Sequence, residues 1–329
     1  MLDQVPVPAG SSGADAVAAT LELAVAAEAL GYRRYWVAEH HNTPSLASAS
    51  PEVLVAAVAA RTTCIRVGSG GVLLSHYSPL KVAETFRLLD ALAPGRVDLG
   101  VGRTPGADPV TEAALQYRPG TLGDEHFAHK MVDLLGFLDG DLGPGHPYAS
   151  VRAVPAGERG PDVWVLGSSS TGAAAAAYLG LPFAFAHFIT DRFGPQILQS
   201  YRKGFTPTAR TTQPRALVAV SVVCADTDAE AARLATSVDV WRLRPEGGER
   251  GPLLPPDEAA AVPLSELDRA RVAQHRAGTV VGDPASVRSR LEELAGSFGV
   301  DELVVLTVCH DPAARLRSYQ LVAEAFGLR

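Results

Sequence analysis

Three β-rich runs decide the fold: RRYWVAE (33–39), IRVGSGGVL (65–73) and RVDLGVG (96–102), and an alanine- and leucine-rich helical pattern follows each of the first two. Their first residues lie 32 and 31 positions apart (65 − 33 and 96 − 65). That distance accommodates one strand and one helix, which is the crossover that neighbouring parallel strands need. The runs are almost continuously apolar, as expected of strands that are buried on both faces.

Further runs with the same character follow along the chain. They are DVWVLG (162–167), PFAFAHF (182–188), ALVAVSVVCA (216–225) and ELVVLTV (302–308). A short strand at the N-terminus brings the number of predicted strands to eight. Eight strands alternating with helices predict an α/β protein with a (β/α)₈ TIM barrel, and a doubly wound open sheet is the alternative.

Two long segments interrupt the repeat. Residues 103–161 contain one helical pattern and a run rich in glycine and proline, and residues 243–278 are rich in proline and charge. In a barrel they would be loop insertions after strands 4 and 7, and long loops of this kind are often functional lids. Because no linker separates two parts of the chain, we expect one domain over residues 1–329.

Composition excludes several classes of protein. The chain has 329 residues, of which 47% are hydrophobic, and a net charge of −7. A general nucleic-acid binder would carry a basic surface instead. Three cysteines that lie far apart in the sequence support neither a disulfide framework nor a metal site. Since neither a secretory signal nor a membrane-spanning run is visible, we expect a soluble, cytoplasmic protein.

The triplet Glu39-His40-His41 closes the second predicted strand. Active sites of TIM barrels are built at the carboxyl ends of the strands. Adjacent strand residues point to opposite faces, so His40 and His41 cannot easily bind one metal ion. Two interpretations of this triplet remain: a single histidine that acts as a general acid or base, or a histidine that is merely hydrogen-bonded at a strand end.

Two loops could meet a ligand. GVGRTPG (100–106) resembles a dinucleotide fingerprint, but its third glycine is one place late and prolines interrupt the expected helix. It suits the close approach of a flat ligand, with Arg103 available for an anion, or it is a plain turn. GSSSTG (167–172) precedes an alanine-rich helix, and its amides and hydroxyls favour either a phosphate or simple capping of that helix.

Several motifs together resemble the bacterial luciferase-like monooxygenases. They are the acidic-His-His strand end (39–41), the V-G-S-small-small strand (67–71), the proline-started helix at Pro79, and the G-R-V turn that leads to a G-x-G-R loop (95–103). GSSSTGAAAAAYLGLPFAFAHF (167–188) and VCHDPAARLRSYQLVAEAF (308–326) fit the same family. The similarity follows the chain in order and covers nearly all of it.

The resemblance implies a role for individual residues. His40 matches the family's catalytic histidine, and Glu39 belongs to the same motif and to the cofactor site. Gly70 and Gly71 match a non-prolyl cis peptide that makes room beneath the flavin ring. Arg103 matches the arginine that meets the flavin phosphate. The second phosphate loop is formed by Gly167, Ser168, Ser169, Ser170, Thr171 and Gly172.

The resemblance also implies an activity. It is that of a monooxygenase in which reduced FMN and O₂ form a peroxyflavin that oxygenates a small organic substrate. The reduced FMN would come from a separate NAD(P)H flavin reductase, and the protein would be a homodimer. A deazaflavin-dependent hydride-transfer enzyme and a non-catalytic flavin-binding protein are the alternatives. Gly102 stands where luciferase has a reactive cysteine, so light emission is not implied.

Overall fold

The computed structural model describes residues 1–103, 108–116, 124–157, 160–244 and 251–328. Within these residues, nine parallel strands form one curled sheet with helices between them. The strands are β1 (Leu2–Asp3), β2 (Arg34–Val37), β3 (Arg66–Leu73), β4 (Val97–Gly102), β5 (Asp162–Gly167), β6 (Phe183–Ala186), β7 (Ala216–Cys224), β8 (Thr279–Gly282) and β9 (Leu303–Leu306). The protein is therefore of the α/β class, as predicted.

Helices connect the strands and cover the sheet. They are α1 (Gly13–Ala29), α2 (Pro51–Ala59), α3 (Pro79–Leu92), α4 (Pro109–Gln116), α5 (Asp124–Asp139), α6 (Ser170–Tyr178), α7 (Gly194–Lys203), α8 (Asp228–Arg242), α9 (Pro256–Ala260), α10 (Glu266–Ala277), α11 (Pro284–Phe298) and α12 (Pro312–Phe326). A 3₁₀ turn (Leu74–His76) follows β3.

The strands pair in chain order from β1 to β8, and β9 pairs with β7 as well. The first half of β7 runs beside both β6 and β9, and its last residues run beside β8. Because β9 also lies against β1, the sheet curls back on itself as in a TIM barrel. The core lies between this sheet and the surrounding helices, and the wide side chains of Trp36 and Trp164 fill the interior of the sheet.

All eight predicted strands are present, but the prediction missed β8. Its sequence, TVVG, is four residues long and stands between a helix and Asp283-Pro284. So short an apolar run carries no periodicity of its own, and pairing with β7 makes it a strand.

Both predicted insertions contain helices. The segment 103–161 contains α4 and α5, and the segment 243–278 contains α9 and α10. A mobile lid at 243–278 stays a prediction, and residues 104–107, 117–123, 158–159 and 245–250 lie outside the described part.

The sequence predicts helix starts at Ser12 and at four Ser-Pro or Asp-Pro pairs that begin with Ser50, Ser78, Asp283 and Asp311, and a helix begins directly after each of these five residues. Three of the five side chains make the capping hydrogen bond. Ser12 forms a capping box with Asp15, and Asp283 and Asp311 each accept a backbone N–H of the following helix. Ser50 and Ser78 make no side-chain capping bond. Both serines are exposed, so water can satisfy the free amides at these helix starts.

Arg34 carries a positive charge into the interior of the sheet. Its side chain is 2% exposed and forms ion pairs with Asp98 on β4 and with Glu302 at the start of β9, both at 2.5 Å. The guanidinium carbon lies 5.4 Å and 5.0 Å from the ring centres of Trp36 and Trp164. This cluster links β2, β4, β5 and β9 across the interior and neutralises a charge that would be costly there unpaired.

A second buried ion pair fastens β1 to the last helix. Arg315 on α12 donates to Asp3 Oδ1 at 2.6 Å and to the Thr307 carbonyl. Asp3 Oδ2 accepts the hydroxyls of Tyr35 and Thr20. Burial alone would raise the pKa of Asp3, but the charge of Arg315 and these hydrogen bonds lower it below its usual value.

Replacing Arg315 with Met is expected to destabilise the fold by about 3–5 kcal/mol at neutral pH, because Asp3 would be left buried and charged without a partner. The deficit relative to the wild type should shrink as the pH falls towards 4. In this range the wild type keeps the ion pair, because the pKa of Asp3 lies below its usual value, whereas burial raises the pKa of Asp3 in the variant and lets it become neutral. Below about pH 4 the wild type also loses the stabilisation, as Asp3 protonates through its lowered pKa. Urea unfolding at several pH values measures both effects.

Arg317→Met is the matched control on the same helix. Arg317 pairs with Asp226 and Glu324 at the surface, and its side chain is 43% exposed. Its replacement should change stability little, since exposed ion pairs are screened by water. Equal losses in the two variants would contradict the role given to the Asp3–Arg315 pair.

Candidate functional site

A cavity of about 320 Å³ opens at the carboxyl ends of the strands. Its wall is mainly apolar, with polar groups gathered at the strand ends. The lining residues are Leu2, Gln4, Trp36, Ala38, Glu39, His40, Gly70, Gly71, Leu73, Gly102, Arg103, Leu166, Gly167, Ser168, Ala184, Ala186, Phe188, Ile189 and Ala219. Apolar concavities with a few convergent polar groups are typical of small-molecule sites.

The structure brings most of the predicted site residues to this cavity. Seven of them line it: Glu39, His40, Gly70, Gly71, Arg103, Gly167 and Ser168. Four do not belong to its lining, and they are Ser169, Ser170, Thr171 and Gly172. Parallel strands deliver their carboxyl ends to one edge of the sheet, which is why residues from β2 to β5 meet there although 128 positions (168 − 40) separate His40 from Ser168.

His40 and His41 face different surroundings, as their adjacency at a strand end predicts. His40 lines the cavity. His41 turns away to a hydrogen bond with Glu39 and packs edge-to-face on His76. No group of metal-ligating side chains occurs among residues 1–103 or the other described ranges, so the structure supplies no partner ligands for a metal at this triplet.

Glu39 ties the end of β2 to the loop after β3. Its carboxylate accepts the Leu73 backbone N–H at 2.9 Å, the Tyr77 hydroxyl at 2.6 Å and His41 Nε2 at 2.7 Å. Burial raises the pKa of Tyr77, and the hydrogen bond to Glu39 raises it further. These bonds make Glu39 a positioning residue at the cavity rim, in addition to its place in the lining.

Lys130 on α5 holds the same loop from the other side. Its ammonium donates to the carbonyls of Leu74, Ser75 and Tyr77 at 3.2, 2.8 and 2.9 Å. The loop also reaches the next strand end, because the Ser75 hydroxyl donates to the Arg103 carbonyl at 3.2 Å. The rim between β3 and β4 is therefore fixed by side chains from three elements.

The peptide bond between Gly70 and Gly71 is cis, as the resemblance implies. The packing of the sheet requires glycine at position 71, where a Cβ would lie 2.7 Å from the Gly100 carbonyl oxygen. A Cβ on Gly70 would lie 2.6 Å from Leu2 Cδ1, the movable end of a side chain, and 3.1 Å from Trp36 Cβ. The two glycines thus form a thin, side-chain-free wall of the cavity.

Arg103 and Ser168 both line the cavity, and each lies just past the end of its strand, β4 or β5. Gly102 pairs with Leu166 in the register of these two strands, so the loops that carry the two side chains leave neighbouring strand ends. The Ser169 hydroxyl accepts the Gly172 N–H at 3.3 Å and caps α6, while Ser170 and Thr171 are exposed. Of the two roles that its sequence allows, the structure shows the capping of the helix, by Ser169. Ser168 lines the cavity, and binding of a phosphate by this loop stays a prediction.

Sequence reasoning missed the lining residues from the ends of the chain's first and sixth strands. Gln4 follows β1, and Phe188 and Ile189 follow β6. The position of Gln4, a polar residue directly after a short strand, could have suggested that it lines the site.

The part of the chain that the structure describes contains no helix long and apolar enough to cross a membrane.

The family model for luciferase-like monooxygenases matches residues 2–302. The chain belongs to this family. A luciferase-like monooxygenase of Escherichia coli strain K12 is 42% identical over 327 residues, which cover 98% of this chain and 95% of that protein. The N-acetyl-S-alkylcysteine monooxygenase of Bacillus subtilis strain 168 is 35% identical over 328 residues, which cover 99% and 97%.

Solved structures share the fold. The crystal structure of apo-MsnO8 matches with a TM-score of 0.91 and 41% identity over 100% of this chain and 98% of the other. More distant solved structures match in fold alone. They include the oxygenating constituent of 3,6-diketocamphane monooxygenase with FMN, at a TM-score of 0.71 and 20% identity, and an F420-dependent secondary alcohol dehydrogenase, at 0.69 and 15%.

Replacing Glu39 with Gln is expected to destabilise the rim by roughly 1.5–3 kcal/mol, because an amide cannot accept all three hydrogen bonds with a full negative charge. Amide exchange should accelerate first at Leu73, whose N–H the carboxylate accepts. Glu22→Gln, at an exposed position of α1, is the control and should leave exchange at Leu73 unchanged. Protection at Leu73 that is equal in all three proteins would show that Glu39 does not hold this loop.

Proposed function

We propose that the protein is a flavin-dependent monooxygenase that uses reduced FMN and O₂ to oxygenate a small organic substrate. One observation carries the proposal: His40, the glycines Gly70 and Gly71, and Arg103 and Ser168 line a single cavity at the carboxyl ends of the strands. Each of these features was expected from its own motif, and family membership supports a monooxygenase activity.

The donors and the wall of the cavity suit FMN. Arg103 and Ser168 provide a charged and a neutral hydrogen-bond donor for a phosphate, and α6 begins at Ser170, shortly after Ser168 in the chain. The rest of the wall is apolar and, at the two glycines, thin enough for a flat ring to lie close to backbone. When bound, reduced FMN would supply the electrons that activate O₂. Arg103 and Ser168 would hold its phosphate.

His40 is proposed to act on the oxygen transferred to the substrate. Its side chain lines the cavity just after the end of β2, and β2 pairs with β3, the strand that contains Gly70 and Gly71. An imidazole changes its charge near neutral pH, so it can donate a hydrogen bond or a proton at that oxygen. The apolar surroundings exclude water, which strengthens such an interaction.

Other components of the proposal come from the family. A separate NAD(P)H flavin reductase would deliver reduced FMN. A homodimer is supported by exposed apolar side chains on the helices after β2 and β3, namely Val53, Leu88 and Leu92, at 64%, 54% and 68% exposure. N-Acetyl-S-methylcysteine is a sensible member of a substrate screen, because one relative acts on N-acetyl-S-alkylcysteines.

His40→Ala is expected to bind reduced FMN normally and to lower the rate of O₂-dependent substrate oxygenation by about 10²–10⁴-fold, the usual contribution of a general acid or base. The wild type and the variant are titrated anaerobically with reduced FMN, and each complex is then mixed with O₂ and the best compound of the screen. His129→Ala, an exposed position on α5, is the control. Unchanged oxygenation in His40→Ala would remove His40 from the reaction.

The same experiment separates the alternatives. Anaerobic turnover with a reduced deazaflavin and no use of O₂ would replace the proposal with hydride transfer. Tight binding of FMN in both redox states, with no turnover of any compound, would indicate a non-catalytic flavin-binding protein.

Arg103→Ala is expected to weaken the binding of FMN by roughly 10–100-fold and to leave the binding of riboflavin unchanged, because riboflavin lacks the phosphate. Equilibrium titration of both flavins measures the two dissociation constants. Arg192→Ala, an exposed arginine beyond β6, is the control and should change neither. A similar loss for riboflavin would place Arg103 at the ring instead of the phosphate.

A further inference from the structure

Gln4 lies at the carboxyl end of β1 and lines the cavity. The alternation of a strand explains its direction: Leu2 and Gln4 line the cavity, whereas Asp3 between them turns outward to Arg315 and Tyr35. Gln4 is only 9% exposed, an unusual position for a glutamine.

Among the described residues, no protein group satisfies the Gln4 carboxamide, which carries two donors and one acceptor oxygen, and its polar atoms are accessible from the cavity and not sealed in the core. Buried polar side chains are normally satisfied by protein or water. In the same cavity wall, the side chains of Leu2 and Ala38 are apolar and the Trp36 indole N–H is taken by Asp98. A carboxamide that is kept buried at the wall of a cavity is available to a molecule inside that cavity.

The backbone around Gln4 is held firmly. Val5 has a φ of 55°, a left-handed conformation that is exceptional for a β-branched residue. Its N–H is fixed by Asp3 Oδ1 at 2.7 Å, and its carbonyl accepts the Ala47 N–H at 2.9 Å. Strain of this kind persists where the surroundings impose it, and it is concentrated at functional sites. The buried Asp3–Arg315 pair therefore sets the position of the Gln4 side chain.

The place of Gln4 favours contact with the substrate over contact with the flavin. The residues proposed to hold FMN lie on β3 and directly after β4 and β5, and His40 follows β2. Gln4 follows β1, and β2 lies between β1 and β3 in the strand order, so the strand end that carries His40 stands between Gln4 and the proposed FMN residues. The cavity-lining residues of β1 and β2 themselves, Leu2 and Trp36, are apolar.

We propose that Gln4 selects the substrate: its amide N–H donates a hydrogen bond to a carbonyl oxygen on a neutral, otherwise apolar molecule. The inference rests on the proposed function for the reaction that follows, but the recognition itself needs no flavin. A site built around a buried hydrogen-bonding group rejects an analogue that lacks the matching group, because the protein's own polar group is then left without a partner.

The test compares three ketones with alkenes in which C=CH₂ replaces C=O: cyclohexanone with methylenecyclohexane, 2-octanone with 2-methyl-1-octene, and acetophenone with α-methylstyrene. Binding to the flavin-free protein is followed by the fluorescence of its tryptophans, of which Trp36 lines the cavity. We expect the wild type to prefer the ketone by about tenfold in the pair that fits best. Gln4→Met keeps the length of the side chain and should reduce that preference to near unity.

Leu2→Met is the matched control, since it alters the same strand and the same wall without touching a polar group. It should weaken ketone and alkene alike and keep their ratio. Circular dichroism melts check that the variants are folded. The proposal is overturned if no pair shows a preference that depends on residue 4, or if Gln4→Met weakens FMN binding and leaves the ketone preference intact. Failure of FMN turnover, with the ketone preference and its loss in Gln4→Met preserved, would instead overturn only the proposed reaction.

Discussion

The Arg34 guanidinium lies inside the curled sheet, next to the rings of Trp36 and Trp164 and paired with Asp98 and Glu302. An unpaired charge in such surroundings would cost several kcal/mol, so β2, β4 and β9 have to meet where these groups meet. Asp98 also accepts the indole N–H of Trp36 at 2.8 Å. The ion pair that organises the interior therefore also fixes the floor of the cavity.

At the rim of the cavity, buried hydrogen bonds connect the strand ends to the loops that follow them. Glu39 joins the end of β2 to Leu73 and Tyr77 after β3. Asp3, held by Arg315, imposes the turn at Val5 that follows Gln4. In both cases the residue that makes the contact, Glu39 or Asp3, is followed in the chain by a residue that lines the cavity, His40 or Gln4. Stability and site geometry thus depend on the same few buried carboxylates.

Much of the fold could be predicted because the repeat is a property of the chain. Apolar runs that start near Arg33, Ile65 and Arg96 predict strands, and their spacing of 32 and 31 residues fits one strand and one crossover helix. The missed strand β8 shows the limit of this reasoning, because four residues have no period and its pairing partner is 58 positions earlier (279 − 221). Ser50 and Ser78 show another limit, since exposed helix starts can use water in place of a side chain.

The sequence by itself determined which residues stand at strand ends, and it showed the resemblance to the family. It also singled out His40, Arg103 and the glycines Gly70 and Gly71 as candidate site residues. Tertiary structure alone decided which polar groups are already engaged. The contacts that occupy Glu39 and Ser169, and leave the Gln4 carboxamide facing the cavity, depend on burial and on the positions of distant elements. Local patterns record which chemistry a residue can perform. The partner that it actually has is set by packing between segments far apart in the chain, which no local pattern encodes.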